Sequence, residues 1–134
     1  MKRNHVCAGA SSDRATLVRV AVFLFLILSA MLDFYLRLGP RVVVLKMGEQ
    51  GAWLATPEHR VRIPKHDVQV VDATGAGDAF CGSFLARILV GDAPEPAARY
   101  SSVAAALKCT GYGAVAPIPR AAEVLSVLDR QAQR

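Results

Sequence analysis

The chain has 134 residues, 53% of them apolar, and a formal net charge of +5. That length and composition suit one domain with a buried core and argue against disorder. The basic excess sits partly at the N-terminus, and no Lys/Arg stripe with interleaved aromatics runs along the chain, so nucleic-acid binding is not expected.

Three widely spaced cysteines, Cys7, Cys81 and Cys109, form neither a CxxC pair nor a disulfide framework. Cys81 and Cys109 read as packed thiols in a reducing compartment. His5, His59 and His66 show no metal-ligand spacing and read as surface residues.

Residues 20–32, VAVFLFLILSAML, carry no charge and no polar face at helical period. At 1.5 Å per residue they reach about 20 Å, short of a hydrocarbon core of about 30 Å. A buried helix is the first reading. A membrane helix over about 18–38 is the second, with Lys2, Arg3, Arg14 and Arg19 preceding it. A signal peptide is the third, with a long basic region and a poor cleavage site.

The remainder alternates between strand and helix patterns. RVVVLKMG (41–48) is a continuous apolar run expected as a strand buried on both faces. GEQG forms a turn, AWLAT (52–56) a second strand, and HRVRIP (59–64) a half-exposed edge strand ended by Pro64. VQVVD (68–72) reads as a fourth strand. GDAFCGSFLARILVG then places Phe80, Phe84, Leu85, Ile88 and Leu89 at helical spacing. A second helix over 93–111 sets Tyr100, Ala104 and Leu107 on one face. A third, over 119–133, starts near Pro119 and is expected to bury Val124, Leu125 and Leu128. Strands and helices in this succession predict a three-layer α/β fold.

The stretch DATGAGDAF (72–80) carries the chemistry. Gly75 and Gly77 permit the turn from strand to helix. The first helical N–H groups have no intrahelical partners and sit at the positive end of the macrodipole. With no bulky side chain at Gly75, Ala76 or Gly77, an anion can approach the backbone. Asp78, at the edge, can accept a proton from an attacking hydroxyl while the amides stabilise a transferring phosphoryl group. No GK[ST] follows, so this is not a P-loop, and Phe80 stands where a dinucleotide fingerprint needs its third glycine. The plain structural alternative is an Asp N-cap after a glycine turn.

DATGAGDAFCGSFLARIL (72–89) resembles the C-terminal signature of the ribokinase/PfkB family of carbohydrate kinases. GPRVVVLKMGEQGAWL resembles the strand–turn–strand upstream of that signature, and AAALKCTGYGAVAPIP the segment closing the nucleotide pocket. The resemblance covers residues 32–134 and implies a three-layer ribokinase-like fold, in its C-terminal part only, with an incomplete sheet.

It further implies ATP-dependent phosphorylation of a sugar hydroxyl, with Mg2+ arriving on the nucleotide. Asp78 becomes the catalytic base, and Gly75, Ala76 and Gly77 the anion hole. Lys46, Gly48, Gly51 and Ser102 fall at the ATP site, although family members often carry Asn where Ser102 stands. Asp72, Thr74, Lys108, Gly111 and Gly113 fall at a monovalent-cation site, for K+. TGYGAVAPIP looks most like the 2-keto-3-deoxygluconate kinase branch, with ribokinase and fructokinase branches open. Residues 1–31 have no family counterpart, and the family's sugar pocket comes mostly from its N-terminal two-thirds. The expectation is a truncated or frame-shifted family member in the cytoplasm. The alternative is a membrane-anchored nucleotide-binding remnant without turnover, its kinase part in the cytoplasm.

Overall fold

The computed structural model describes residues 10–133, with side chains from Thr16 onward. Cys7, His5, Lys2, Arg3 and the Arg14 side chain lie outside the described residues. The chain divides into two compact units, Met1–Pro40 and Arg41–Arg134.

The first unit contains α1, Ala10–Arg37. It runs without a break through the point near residues 30–33 where the family resemblance begins. An 18-residue window within its stretch Thr16–Arg37 has a mean hydropathy of 2.3. Leu17, Val18, Val20, Phe23 and Phe25 are more than half exposed. Leu32 is the buried position, with Leu28 and Leu36 half-buried. The first expectation is a buried helix; the segment is helical, and most of its described apolar side chains are exposed.

In the second unit, three short strands form an antiparallel sheet in the order β1-β2-β3. They are β1 (Val43–Lys46), β2 (Ala52–Ala55) and β3 (Arg60–Ile63). A one-turn 3-10 helix, Gly48–Gln50, joins the first two. Lys46 pairs with Ala52, and Ala52 in turn with Ile63. Alternation along the strands puts Val44, Lys46, Ala52, Leu54, Val61 and Ile63 on one face. The edge strand reads as expected, with Arg60 and Arg62 exposed, Val61 half-buried and Ile63 buried.

Helix α2 (Ala76–Leu89) and helix α3 (Pro94–Lys108) complete the core. Phe80 packs with Ala52, Leu54, Ile63 and Ala98, and Phe84 joins at the edge. The two Phe rings stack at 6.4 Å. Small residues on α3, with Ala97, Ala98 and Ser101 fully buried, allow its backbone close to its neighbours. Pro94 stands in the first turn of α3, where its missing N–H costs nothing. Helix α4 (Ala121–Ala132) packs Val124 and Val127 against Val103 and Ala104 of α3. Tyr100, Leu107 and Leu128 flank that contact, as the helical spacing of the first two predicts.

Four expectations need correction. Strand β1 is half-buried, with Lys46 exposed, rather than buried on both faces, because the sheet edge beside it has no further strand among the described residues. Residues 68–72 form no strand: Val71 and Asp72 instead donate their amides to the Cys109 carbonyl, at 2.8 and 3.1 Å. Leu125 is exposed and Val127 takes its place, because the buried stripe of α4 runs 124, 127, 128. Leu85 and Leu89 on α2 are also exposed, leaving Phe80 as its buried anchor.

Candidate active site

The turn into α2 is built on Gly75, whose φ of 77° is left-handed. A Cβ there would also come within 3.2 Å of the Ala114 side chain, so the 113–118 loop lies directly over the turn. The Ala76 amide donates to the Ala73 carbonyl at 3.1 Å. Among the described residues, the amides of Gly75, Gly77 and Asp78 make no backbone hydrogen bond. The free-amide set is therefore Gly75, Gly77 and Asp78 rather than Gly75, Ala76 and Gly77. Ala76 is spent on closing the turn.

Asp78 is exposed in the first turn of α2, three residues after the N-cap Gly75. No side-chain hydrogen bond caps this helix, so Asp78 does not act as an N-cap. Its negative charge suits the positive end of the helix. With Gly75, Ala79, Gly82 and Ser83 it lines an open cavity of about 580 Å³, to which Val115 and Ile118 also contribute.

Lys46, at the end of β1, reaches the same helix start. Its Nζ donates to the Gly77 carbonyl at 3.1 Å and lies 3.1 Å from the Cys81 sulfur. Cys81, expected as a packed thiol, is exposed, while Cys109 is buried. Sequence reasoning missed Cys81 as a site neighbour. Its spacing of four from Gly77, on one helix face, is the signal that could have found it.

A second cluster surrounds Asp72. Its two carboxylate oxygens accept the amides of Thr74, at 2.9 Å, and Gly113, at 2.8 Å. The Thr74 side chain and amide, then the Gly113 amide and the Lys108 charge, hold this carboxyl down at about 2. The Lys108 side chain is fully buried, and its Nζ donates to the Asp72 carbonyl at 2.9 Å. Gly113 has a φ of 88°, and a Cβ at Gly111 would meet Pro117 at 2.8 Å. Gly111 and Gly113 thus shape the loop that crosses the turn.

The remaining expected ATP-site residues are more separate. Gly51 has a φ of 84°, and a Cβ there would stand 2.3 Å from the Ile63 carbonyl, so its glycine is required by packing alone. Gly48, with a φ of 57°, faces open space. The Ser102 hydroxyl donates to the Pro64 carbonyl at 2.8 Å, which ties α3 to the end of β3.

Residues 29–121 match the family described as pfkB family carbohydrate kinase. The chain belongs to the pfkB family. Over 76 residues this pfkB chain is 40% identical to a 2-dehydro-3-deoxygalactonokinase of Haloferax volcanii, covering 57% of the chain and 24% of that relative. An E. coli protein described as a ribokinase II, solved with ATP and Mg2+, superposes with a TM-score of 0.70 at 30% identity. That match covers 73% of the chain and 32% of its counterpart. A variant of Vibrio cholerae O395 fructokinase, in a fructose, ADP and potassium-bound form, gives a TM-score of 0.60 at 32% identity, covering 64% and 30%. These likenesses give the pfkB chain the ribokinase-like α/β fold. The first curated relatives it matches are much longer, and it spans from 24% to 35% of their length.

Proposed function

We propose that this chain supplies the phosphoryl-transfer centre of an ATP-dependent sugar kinase. The observation that carries the reading is the start of α2. A left-handed Gly75 and an uncapped Asp78 carboxylate stand together at the rim of one cavity, and the amides of Gly75, Gly77 and Asp78 in the same turn are unpartnered.

In this reading the amides face the transferring phosphoryl group, where backbone donors need no reorganisation as charge develops. Asp78 accepts the proton of the attacking sugar hydroxyl as that oxygen bonds to the γ-phosphorus and ADP leaves. Lys46 adds a positive charge beside Gly77. Magnesium would be held mainly by phosphates and water, supplying charge neutralisation between the phosphates. Gly48, Gly51 and Ser102 shape the wall for the rest of the nucleotide, Gly51 and Ser102 through the packing they enforce.

The substrate class proposed is a 2-keto-3-deoxy sugar acid, supported by the identity to the Haloferax enzyme. The working compartment proposed is the cytoplasm. The 134 residues alone are expected to bind nucleotide and to turn sugar over negligibly. In-line positioning of a hydroxyl is worth roughly 7–11 kcal/mol, and the sugar's contacts are expected elsewhere in the family fold. Calorimetric titration of the chain with MgADP and MgATP tests the reading. Heat saturating in the millimolar range or below supports it, and no heat with no thermal shift refutes it.

A second reading rests on α1. Thr16–Arg37 spans 22 residues, about 33 Å as a helix, with its apolar side chains largely exposed. It makes the chain a membrane-tethered nucleotide-binding protein without turnover. Flotation with liposomes, lost when residues 10–37 are deleted, supports it; a chain that stays in the soluble fraction removes it.

A further inference from the structure

The pfkB resemblance implies a monovalent-cation site at Asp72, Thr74 and the segment Lys108–Gly113. One side chain, that of Lys108, already occupies part of that site. Both Asp72 carboxylate oxygens already accept amides, from Thr74 and Gly113. The Cys109 carbonyl accepts two more, from Val71 and Asp72. The Asp72 carbonyl, the oxygen that faces the end of α3, accepts the Lys108 ammonium at 2.9 Å.

Lys108 is the last residue of α3 and its side chain is wholly buried. A cation is favoured there by the negative end of the helix macrodipole and by the neighbouring Asp72 carboxylate. An ammonium and a potassium ion carry the same charge and seek the same carbonyl oxygens. A second cation sharing the Asp72 carbonyl would be repelled by the first, and burial would weaken solvent screening of that repulsion.

We propose that the Lys108 ammonium is a covalently attached replacement for the monovalent cation, so that the glycine turn of this chain is ordered without K+. The consequence reaches the proposed phosphate site directly. Asp72 is joined through Thr74 to the Gly75 turn, and Gly113 is followed at once by Ala114, which covers that turn. In the functional sense the inference rests on the nucleotide-binding reading, but the cation question can be asked without nucleotide.

The experiment has two series on the full chain, each at matched ionic strength in KCl, LiCl and tetramethylammonium chloride. The first measures melting temperature without nucleotide, for the wild type and for Lys108→Met. The second measures ADP affinity for the same proteins. Expected for the wild type is the same melting temperature and the same ADP affinity in all three salts. Expected for Lys108→Met is a lowered melting temperature that KCl, and not LiCl, raises, together with an ADP affinity restored by K+ about fivefold or more, the lower end of ordinary coupling between sites.

A wild type stabilised by K+ over the other salts overturns the proposal. So does a folded Lys108→Met variant indifferent to K+, which would make Lys108 a structural tether only. If the variant does not fold, the wild-type melting series still decides. If ADP binds in no salt, the nucleotide reading fails, while the nucleotide-free series continues to test the cation.

Discussion

The Lys46 ammonium donates to the carbonyl oxygen of Gly77 at 3.1 Å, fastening the end of β1 to the first turn of α2. A positive charge is thereby held beside the open amides, on a strand rather than on a mobile loop. The side chain itself is exposed, so its removal bears on ligand binding more than on folding. Lys46→Met is expected to weaken ATP binding about tenfold, equivalent to about 1.4 kcal/mol, with little change in melting temperature. Calorimetry and thermal denaturation on one preparation check both halves of the statement.

Two glycines of the same segment should respond in opposite directions. Gly75 is left-handed and lies against Ala114, so Gly75→Ala is expected to destabilise the protein by about 1–2 kcal/mol. It should also displace the loop over the site and lower nucleotide affinity. Gly82 lies inside α2 with nothing near a prospective Cβ, so Gly82→Ala is expected to stabilise by about 0.5–1 kcal/mol. Urea denaturation of the two variants makes the comparison. Equal effects would contradict the geometry of the turn.

Asp72 sets an acid-side dependence of stability. Its carboxyl is lowered in the folded protein from an ordinary 3.8 to about 2. A depressed folded value favours the folded state most above the unfolded one, so this contribution is present above about pH 4 and disappears as the pH falls towards 2. In Asp72→Asn the amide nitrogen or oxygen must face either Thr74 or Gly113, and one of those two N–H groups loses its acceptor. The variant should therefore be less stable at pH 6, with the gap to the wild type closing between pH 4 and 2. Denaturation midpoints across that range would show it. A constant gap would remove Asp72 as its source.

Asp78 is best tested where turnover is expected. In a chimaera joining residues 41–134 to the complementary part of the Haloferax 2-dehydro-3-deoxygalactonokinase, Asp78→Asn is expected to lower turnover by about 10²–10⁴-fold. Nucleotide affinity and melting temperature should hold, because Asp78 caps nothing. Near-normal turnover in the folded variant would end its assignment as the base.

The helices and the β1–β3 hairpins were legible because their own patterns contain what stabilises them. Alternation in 60–63 and the spacing of Phe80 and Phe84 each point to a single buried face. Residues 68–72 misled because an apolar run specifies extended chain, whereas a strand also needs a neighbour. Here two of their amides find Cys109 instead. In α4, Leu125 and Val127 are equally apolar, and the choice between them depends on where α3 lies. At the site, the glycine positions and Asp78 could be read from the motif. The use of the Ala76 amide, the Lys46–Cys81 approach and the direction of the Lys108 side chain could not, since each depends on a partner distant in sequence or on the local path of the turn.

The sheet closes entirely through neighbours along the chain, β1 to β2 to β3, across the short connections 47–51 and 56–59. The clasp around Asp72 instead joins residues separated by 36 and 41 positions. Loop-closure entropy therefore favours early formation of the hairpins and late arrival of the clasp. The chemistry proposed for this chain thus resides in the portion assembled last, and the order of assembly runs from scaffold to site. Partial openings of the native protein should retrace that order in reverse, with the amides of Thr74 and Gly113 exchanging with solvent before those of Trp53 and Leu54.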